Sequence, residues 1–450
     1  MNCVYFGTDC VRCPYGGPVV NERFAARLGA AAGLWLSRGL PSSGNRPPIT
    51  IGRDTRVSGA ALERALATGL ASAGWRTVSL GILPTPAVAC GVRDSGAPLG
   101  IVVTASHNPA GDNGFKLFGP GGRKLTEAQE LEIEALLPAD LPEYIPPVDP
   151  PAYAGEVLGA YITAATRLLP VGSLEGWDLV LDTANGATCL SSPAVFRCFG
   201  ASMIGIGDFP DGRNINAGVG SEHPGKLAAR VLAAGARIGI AHDGDGDRCV
   251  LCDERGVVLD GDEILTILAT HALAGDRLAG NTLVVTVHSN GGVDAAVAAA
   301  GGRVLRTAVG DRHVAERMAA TGATLGGESS GHVIFSEISP TGDGLVAALK
   351  VVEVMLETGQ PLSELRRRLR KFPQASAAIA VHEKKPLESL PGLAAAIRSV
   401  ESALGTGGRV LVRYSGTESK LRLLVEGSDE AAVRAGLARL EAAARAELVT

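Results

Sequence analysis

Again and again this chain runs a strand-like apolar segment into a glycine-bearing turn, commonly leading on to a helical pattern, and that rhythm restricts it to α/β architecture. The first instance is PPITIGRD (47–54), followed by SGAALERALATGLASAG (58–74) and then WRTVSLGI (75–82). In the helical part Leu62, Leu66 and Leu70 recur at i, i+4 and i+8 behind Ser58, so one face is apolar and Ser58 is the expected N-cap. DLVLDTANGAT (178–188), RIGIAHDGDGDR (237–248) and LVVTVHSNGGVDAAVAAAGG (283–302) repeat the plan. The 59 glycines suit tight turns and closely packed helices.

At 450 residues the chain exceeds what one core normally organises. Proline density in LPADLPEYIPPVDPPAYAG (137–155) forbids regular structure and places a first boundary near residue 150. Further boundaries are expected near 254, after DGDGDRCVLCDERG, and near 362, after MLETGQPLSELRR. Beyond that point RVLVRYSGTESKLRLLVEG and a final helix read as a smaller α+β unit.

Charge narrows the class of partner. There are 42 Lys and Arg against 47 Asp and Glu, a net −5, and the basic residues form no stripe, which disfavours nucleic acid. MNCVYFGTDC lacks the basic and apolar regions of a signal peptide, and no apolar run approaches ~18 residues, so a cytoplasmic protein with no membrane partner is expected. Eight cysteines include two CxxC pairs, Cys10 with Cys13 and Cys249 with Cys252. A zinc knuckle needs a tight turn, whereas RCVLCDE reads as a strand, so reduced thiols are expected.

Four polar clusters carry the chemistry. In GIVVTASHNPAGDNGFKLFG (100–119) a strand gives way to Ser106, His107, Asn108 and Pro109. Ser106 lacks the Gly-x-Ser-x-Gly context of a hydrolase elbow, and a turn-capping serine is the competing reading. DGDGDR (243–248) places Asp243, Asp245 and Asp247 at alternate positions with glycines between, so the loop can curl and present three carboxylates to one hard cation, Mg²⁺ or Ca²⁺. An EF-hand is disfavoured because Arg248 stands where the sharp turn wants glycine and the flanks read as strands. GGESSGH (326–332) offers Glu328, Ser330 and His332 on a glycine-bounded loop suited to vicinal sugar hydroxyls, or simply a structural loop. RYSGTES (413–419) combines Arg413, Ser415 and Thr417 around a glycine, a phosphate cradle or a plain β-turn, which Arg422 strengthens if it faces the same way.

TASHNP, DGDxDR, GExSGH and RxSGTE in this order and at these separations resemble the α-D-phosphohexomutase superfamily, and the likeness runs from YFGTD to LLVEG, essentially the whole chain. Within it FGTD, DNGFKLFG, PDGRNIN, VTVHSNGG, VGDRHVAERM, TGDGLVAAL and SGTESKLRLLVEG look most like the phosphoglucosamine mutase branch, with the phosphomannomutase/phosphoglucomutases as the alternative and an inactive phosphosugar-binding protein as a minor one. The resemblance implies three similar mixed-sheet α/β domains, 1–150, 151–254 and 255–362, plus a smaller α+β domain, 363–450, around a central cleft. It implies a phosphoserine at Ser106 and Mg²⁺ held by Ser106, Asp243, Asp245 and Asp247. Arg12, Arg248 and His107 would serve the transferring group, and Lys116 would be the general acid/base, its pKa lowered by nearby cations. Glu328, Ser330 and His332, with Asp311 and Arg312, would contact the sugar, while Arg413, Ser415, Gly416, Thr417 and Arg422 would hold the phosphate that is not reacting. The implied activity interconverts glucosamine 6-phosphate and glucosamine 1-phosphate through a hexosamine 1,6-bisphosphate, in amino-sugar metabolism that feeds cell-wall precursors; a homodimer is the implied assembly. Two departures stand out: the family's GTDGIRG is GTDCVRC here (7–13), and Ser329 occupies a position where the branch usually has Gln.

Overall fold

The computed structural model describes residues 4–7, 10–39, 47–138, 152–153, 155–405, 408–414 and 419–448. The chain forms two compact units, Met1–His288 with Ala300–Arg368, and Ser289–Ala299 with Leu369–Thr450. The larger holds three mixed sheets and the smaller one antiparallel sheet, the α/β class read from the strand, turn and helix rhythm.

The first sheet has six strands in the spatial order Val11–Pro14, Asp112–Phe118, Gly100–Val103, Ile49–Arg53, Thr77–Ile82 and Ala152–Tyr153. Ile49–Arg53 runs parallel to both Thr77–Ile82 and Gly100–Val103, and Asp112–Phe118 turns back antiparallel. Gly100–Val103 is buried throughout, which is why it reads as a continuous apolar run with no alternation. Proline density is expected to keep 137–155 free of regular structure, yet Ala152–Tyr153 within that stretch pairs with Val78 and Ser79 at the edge of this sheet, just past the boundary expected near 150. The second sheet runs Val258–Leu259, Cys249–Asp253, Ile238–His242, Asp178–Asp182, Ser202–Ile206, and the third Arg303–Thr307, Thr282–Thr286, Leu325–Gly327, Val333–Phe335. Cys249 and Cys252 therefore lie within a strand, not on a knuckle turn, and both are buried as free thiols.

Glycine has a packing use where helices Glu22–Gly39 and Gly59–Ser72 cross. A β-carbon at Gly69 would fall 1.9 Å from the Ala26 carbonyl oxygen, so the two backbones touch directly. Leu62, Leu66 and Leu70 are all fully buried behind that crossing, as their spacing predicts. Ser58 corrects the sequence reading: it precedes the helix in a right-handed conformation and makes no capping bond. Its hydroxyl accepts instead from Asn113 Nδ2 at 2.8 Å.

Helix Gly344–Thr358 begins at a buried carboxylate. Asp343 accepts the Val346 N–H at 3.0 Å, and the Tyr161 hydroxyl donates to its two oxygens at 2.9 and 3.0 Å. Burial outweighs these bonds and pushes the Asp343 carboxyl from 3.8 up to about 6. A raised folded-state value means that its contribution is fully present below the unfolded pKa and is lost as pH rises through 6. Asp343→Asn keeps an acceptor for the cap and cannot ionise. Relative to wild type it should gain about 2–3 kcal/mol between pH 4 and pH 7.5, about two units at ~1.4 kcal/mol each, as read by urea unfolding at both pH values. An unchanged difference between the two proteins would show that Asp343 does not titrate in this range. Among the described residues no helix is long and apolar enough to cross a membrane.

Candidate active site

Parallel strands aim their carboxyl ends the same way, so the loops that follow them collect on one edge of a sheet, where α/β proteins place their chemistry. Here the corresponding strand ends of three sheets carry the site: Asp54 and Arg56 after Ile49–Arg53 and Ser106 after Gly100–Val103 in the first, Asp243 after Ile238–His242 in the second, and Glu328 after Leu325–Gly327 in the third. Sequence positions 137 apart meet: Ser106 Oγ lies 2.6 Å from Asp243 Oδ2. Ser106 is wholly buried and adopts a left-handed backbone, φ +51°, a conformation that costs a non-glycine residue of order 1 kcal/mol or more and persists only where the surroundings impose it.

The three loop aspartates converge as their spacing suggests. One carboxylate oxygen from each of Asp243, Asp245 and Asp247 lies within 4.8 Å of the others, and among the described residues this is the one such acidic, His or Cys cluster. Gly244 makes the approach possible, because a β-carbon there would sit 2.6 Å from the Ser106 carbonyl oxygen. Lys116 Nζ donates to Asp245 Oδ2 at 2.8 Å and Asp247 Oδ2 at 2.6 Å, and Thr85 Oγ1 to Asp245 Oδ2 at 2.6 Å. Of the opposite oxygens, Asp245 Oδ1 is buried and makes no hydrogen bond, and Asp247 Oδ1 has only His332 Nδ1 at 3.7 Å and Arg248 Nε at 3.8 Å, beyond hydrogen-bond reach. Buried acceptors without a donor are costly, and an all-oxygen set of this kind fits a hard divalent cation.

Electrostatics points the same way. Burial, then Asp247 and Asp245, push the Asp243 carboxyl well above the ordinary range. Burial also works against Asp245 and Asp247, but Lys116 outweighs it, together with Thr85 at Asp245 and with His332 and Arg248 at Asp247, and both are held low. Three carboxylates this close do not all ionise without a cation. Lys116 thus rests on two carboxylates, one of which, Asp247, also has Arg248 Nε 3.8 Å away. Burial, then Arg248 and Arg12, push His107 down to about 4, so it is neutral near pH 7, with Nδ1 3.4 Å from Ser106 Oγ. Arg12 reaches the same loop, donating to Asn108 Oδ1 at 3.1 Å.

A cavity of about 250 Å³ opens beside this cluster, lined by Asp247, Arg248, Asp311, Glu328, Ser330 and His332 among others. Glu328 accepts the Gly310 N–H at 3.1 Å, and burial raises its carboxyl above the ordinary range. Ser330 Oγ is buried without a hydrogen-bond partner, a hydroxyl left for something outside the chain. His332 is wedged between Asp311, 3.3 Å away, and Asp247, 3.7 Å away; burial opposes its charge, yet these two carboxylates raise its pKa. Arg312 is placed elsewhere: it donates to Glu130 Oε1 at 2.6 Å and lines a separate cavity with Arg93 and Lys124.

In the smaller unit, strands Arg409–Tyr414 and Lys420–Glu426 pair antiparallel with Arg413 directly opposite Arg422. Residues paired in this way project from the same face of a sheet, so the two guanidiniums are neighbours. Burial and then Arg422 lower the Arg413 pKa, the signature of like charges facing a common space. Ser415, Gly416 and Thr417 lie outside the described residues.

Three models of the phosphoglucomutase/phosphomannomutase family match the chain: alpha/beta/alpha domain I over residues 4–142, alpha/beta/alpha domain III over 260–372, and the C-terminal domain over 377–443. A Burkholderia thailandensis phosphoglucomutase/phosphomannomutase family protein shares the fold at TM-score 0.80 and 24% identity, covering 99% of this chain and 98% of its own. Aspergillus fumigatus N-acetylphosphoglucosamine mutase, solved in complex with GlcNAc-6P and magnesium, does so at TM-score 0.66 and 18% identity, covering 99% and 96%. Fold and site together define a phosphohexomutase. With 44% identity to the phosphoglucosamine mutase of Anaeromyxobacter sp. (strain Fw109-5), covering 96% of this chain and 93% of that one, the chain belongs to the phosphoglucosamine mutase family.

Proposed function

We propose that this chain interconverts glucosamine 6-phosphate and glucosamine 1-phosphate with Ser106 as the phosphoryl carrier. The observation that carries the reading is the left-handed Ser106, its Oγ 2.6 Å from one member of a buried aspartate triad. A serine ester of phosphate is kinetically durable, so the charged enzyme can wait between turnovers. Asp243, Asp245 and Asp247, with Ser106, are the residues to hold Mg²⁺; when bound, the ion neutralises charge on the transferring phosphoryl group.

In the first half-reaction the sugar O1 attacks phosphorus, the P–O1 bond forms and the P–Oγ bond breaks. Lys116, an ammonium resting on Asp245 and Asp247, gives a proton to the departing Oγ and is recharged by the attacking hydroxyl. The product is glucosamine 1,6-bisphosphate. It turns end for end, and its 6-phosphoryl group returns to Ser106, leaving glucosamine 1-phosphate. Arg12 and Arg248 steady the transferring group, and Glu328, Ser330 and His332 read the sugar. Arg413 and Arg422, with Ser415, Gly416 and Thr417, take the phosphate at rest, for which two facing guanidiniums are the apt chemistry.

Substrate choice follows from the 44% identity to a phosphoglucosamine mutase; Glu328, in the cavity beside the triad, can pair with a protonated 2-amino group or accept from a hydroxyl and is not selective by itself. A site that hydrogen-bonds a substrate group rejects analogues lacking it. Glucosamine 6-phosphate should be converted with at least ~10-fold higher kcat/KM than glucose or mannose phosphates, about 1.4 kcal/mol in transition-state binding. Competition assays with glucosamine, glucose and mannose phosphates test this. Equal or better use of mannose 1-phosphate would move the assignment to a phosphomannomutase/phosphoglucomutase.

A further inference from the structure

Two residues that no part of this mechanism uses converge on the main chain of the Ser106 loop. Arg56, 1% exposed, sits between the loop and Asp54, to whose Oδ2 its Nε donates at 2.9 Å. Its Nη2 donates to the carbonyls of Ser106 at 3.0 Å and Asn108 at 2.7 Å, and its Nη1 to those of Asp112 at 2.9 Å and Pro109. Asn216, from the PDGRNIN stretch, reaches the same two carbonyls: Nδ2 lies 2.8 Å from Ser106 O and 3.0 Å from Asn108 O. Asn216 is itself buried and left-handed, φ +59°, and anchored by its own N–H to the Ala184 carbonyl at 2.8 Å.

Each of two successive gripped carbonyls therefore takes two donors, one from a residue 50 or so positions earlier and one from about 110 later. The amide side of the serine is fixed as well. Ser106 N–H donates to Thr104 Oγ1 at 2.9 Å, and Thr104 Oγ1 donates to Asp54 Oδ2 at 2.7 Å, the oxygen that also receives Arg56. The peptide on each side of Ser106 is thus tied into one buried network. Gly244 of the metal loop packs on the same point, since a β-carbon there would meet Ser106 O at 2.6 Å and Asn216 Nδ2 at 2.8 Å.

Taking Ser106 as the carrier, we infer that Arg56 and Asn216 are positioning residues that hold its main chain left-handed, so that Oγ keeps its place against Asp243 in both the free and the phosphorylated enzyme. The carrier alternates between a neutral hydroxyl and an ester of charge near −2. A loop free to follow that swing would move the phosphorus, and a misplacement of about 1 Å can cost about 100-fold in rate. Donors gripping carbonyls act on the backbone alone and are indifferent to what Oγ carries.

The test compares full-length wild type with Asn216→Asp, which sets a carboxylate against two carbonyls, and Asn216→Gly, which keeps the left-handed backbone but loses the donor. Each protein is charged with glucose 1,6-bisphosphate in Mg²⁺, its phosphoryl occupancy read by intact mass, and its kcat expressed per phosphorylated enzyme. For Asn216→Asp kcat should fall about 30-fold or more and for Asn216→Gly about 10-fold, with KM for glucosamine 6-phosphate within about threefold and more phosphate released to water per turnover. A residue that merely supports the fold would lower the melting temperature and the chargeable fraction, leaving this normalised kcat alone. Values within threefold of wild type in both variants, or a change confined to KM, overturn the proposal; if Asn216→Asp does not fold, Asn216→Gly decides. Wild type that takes no adduct on Ser106 overturns the carrier reading itself, a result visible before any variant is assayed.

Discussion

Ser106→Ala is expected to abolish mutase turnover, by roughly 10⁴-fold or more, while leaving the fold in place, because a covalent carrier cannot be replaced by binding alone. Thr104, the hydroxyl two residues before it, is already committed: it donates to Asp54 Oδ2 at 2.7 Å and accepts the Ser106 N–H at 2.9 Å. No rescue through Thr104 is therefore expected. Structurally the change removes one hydroxyl and its bond to Asp243, a loss of about 1 kcal/mol, and keeps the β-carbon that the left-handed backbone already tolerates. Thermal unfolding should move by a few degrees at most. A folded alanine variant with near-native turnover would remove phosphoserine from the mechanism.

Chelation of Mg²⁺ is expected to have the second largest effect. EDTA should abolish activity and added Mg²⁺ restore it, and Asp245→Asn should lose about 100-fold in turnover and weaken the ion by removing one hard anionic ligand. Asp245 is the informative choice because its Oδ1 is buried with no partner while its Oδ2 is spoken for by Lys116 and Thr85. A readout independent of catalysis is available. Mg²⁺ at about 100 times its dissociation constant should stabilise wild type by ~2.7 kcal/mol and raise its melting temperature, and Asp245→Asn should lose most of that shift. Full activity in metal-free buffer would count against an ion at the triad.

Much of this site could be read from the sequence because its chemistry is local. Asp243, Asp245 and Asp247 fall within five residues with glycines between them, so backbone geometry alone brings their carboxylates together. Arg422 strengthens an Arg413 cradle only if it faces the same way, and strand register sets the two opposite each other. What stayed hidden depends on partners remote in sequence. Lys116 meets Asp245 from 129 positions away, and Arg312 meets Glu130 from 182, contacts that no local pattern encodes. Ser58 had the right residue type for a cap, yet Asn113 outcompeted the helix for its hydroxyl. Arg56 and Asn216 carried a faint signal: a charged GRDTR run at a strand end, and an asparagine in PDGRNIN able to take a left-handed backbone.

Phosphorus that passes through Ser106 on its way between the two ends of glucosamine phosphate can be followed directly by one labelling measurement. Full-length enzyme charged with ³²P-labelled glucose 1,6-bisphosphate, freed of excess sugar, is mixed with unlabelled glucosamine 6-phosphate in Mg²⁺, then quenched within a turnover and after many. Label is expected on the Ser106 peptide before mixing, in glucosamine 1,6-bisphosphate at the early quench, and distributed into glucosamine 1-phosphate and 6-phosphate later. Label that never occupies Ser106 while glucosamine 1-phosphate still accumulates, or that leaves Ser106 only as inorganic phosphate, would contradict that route.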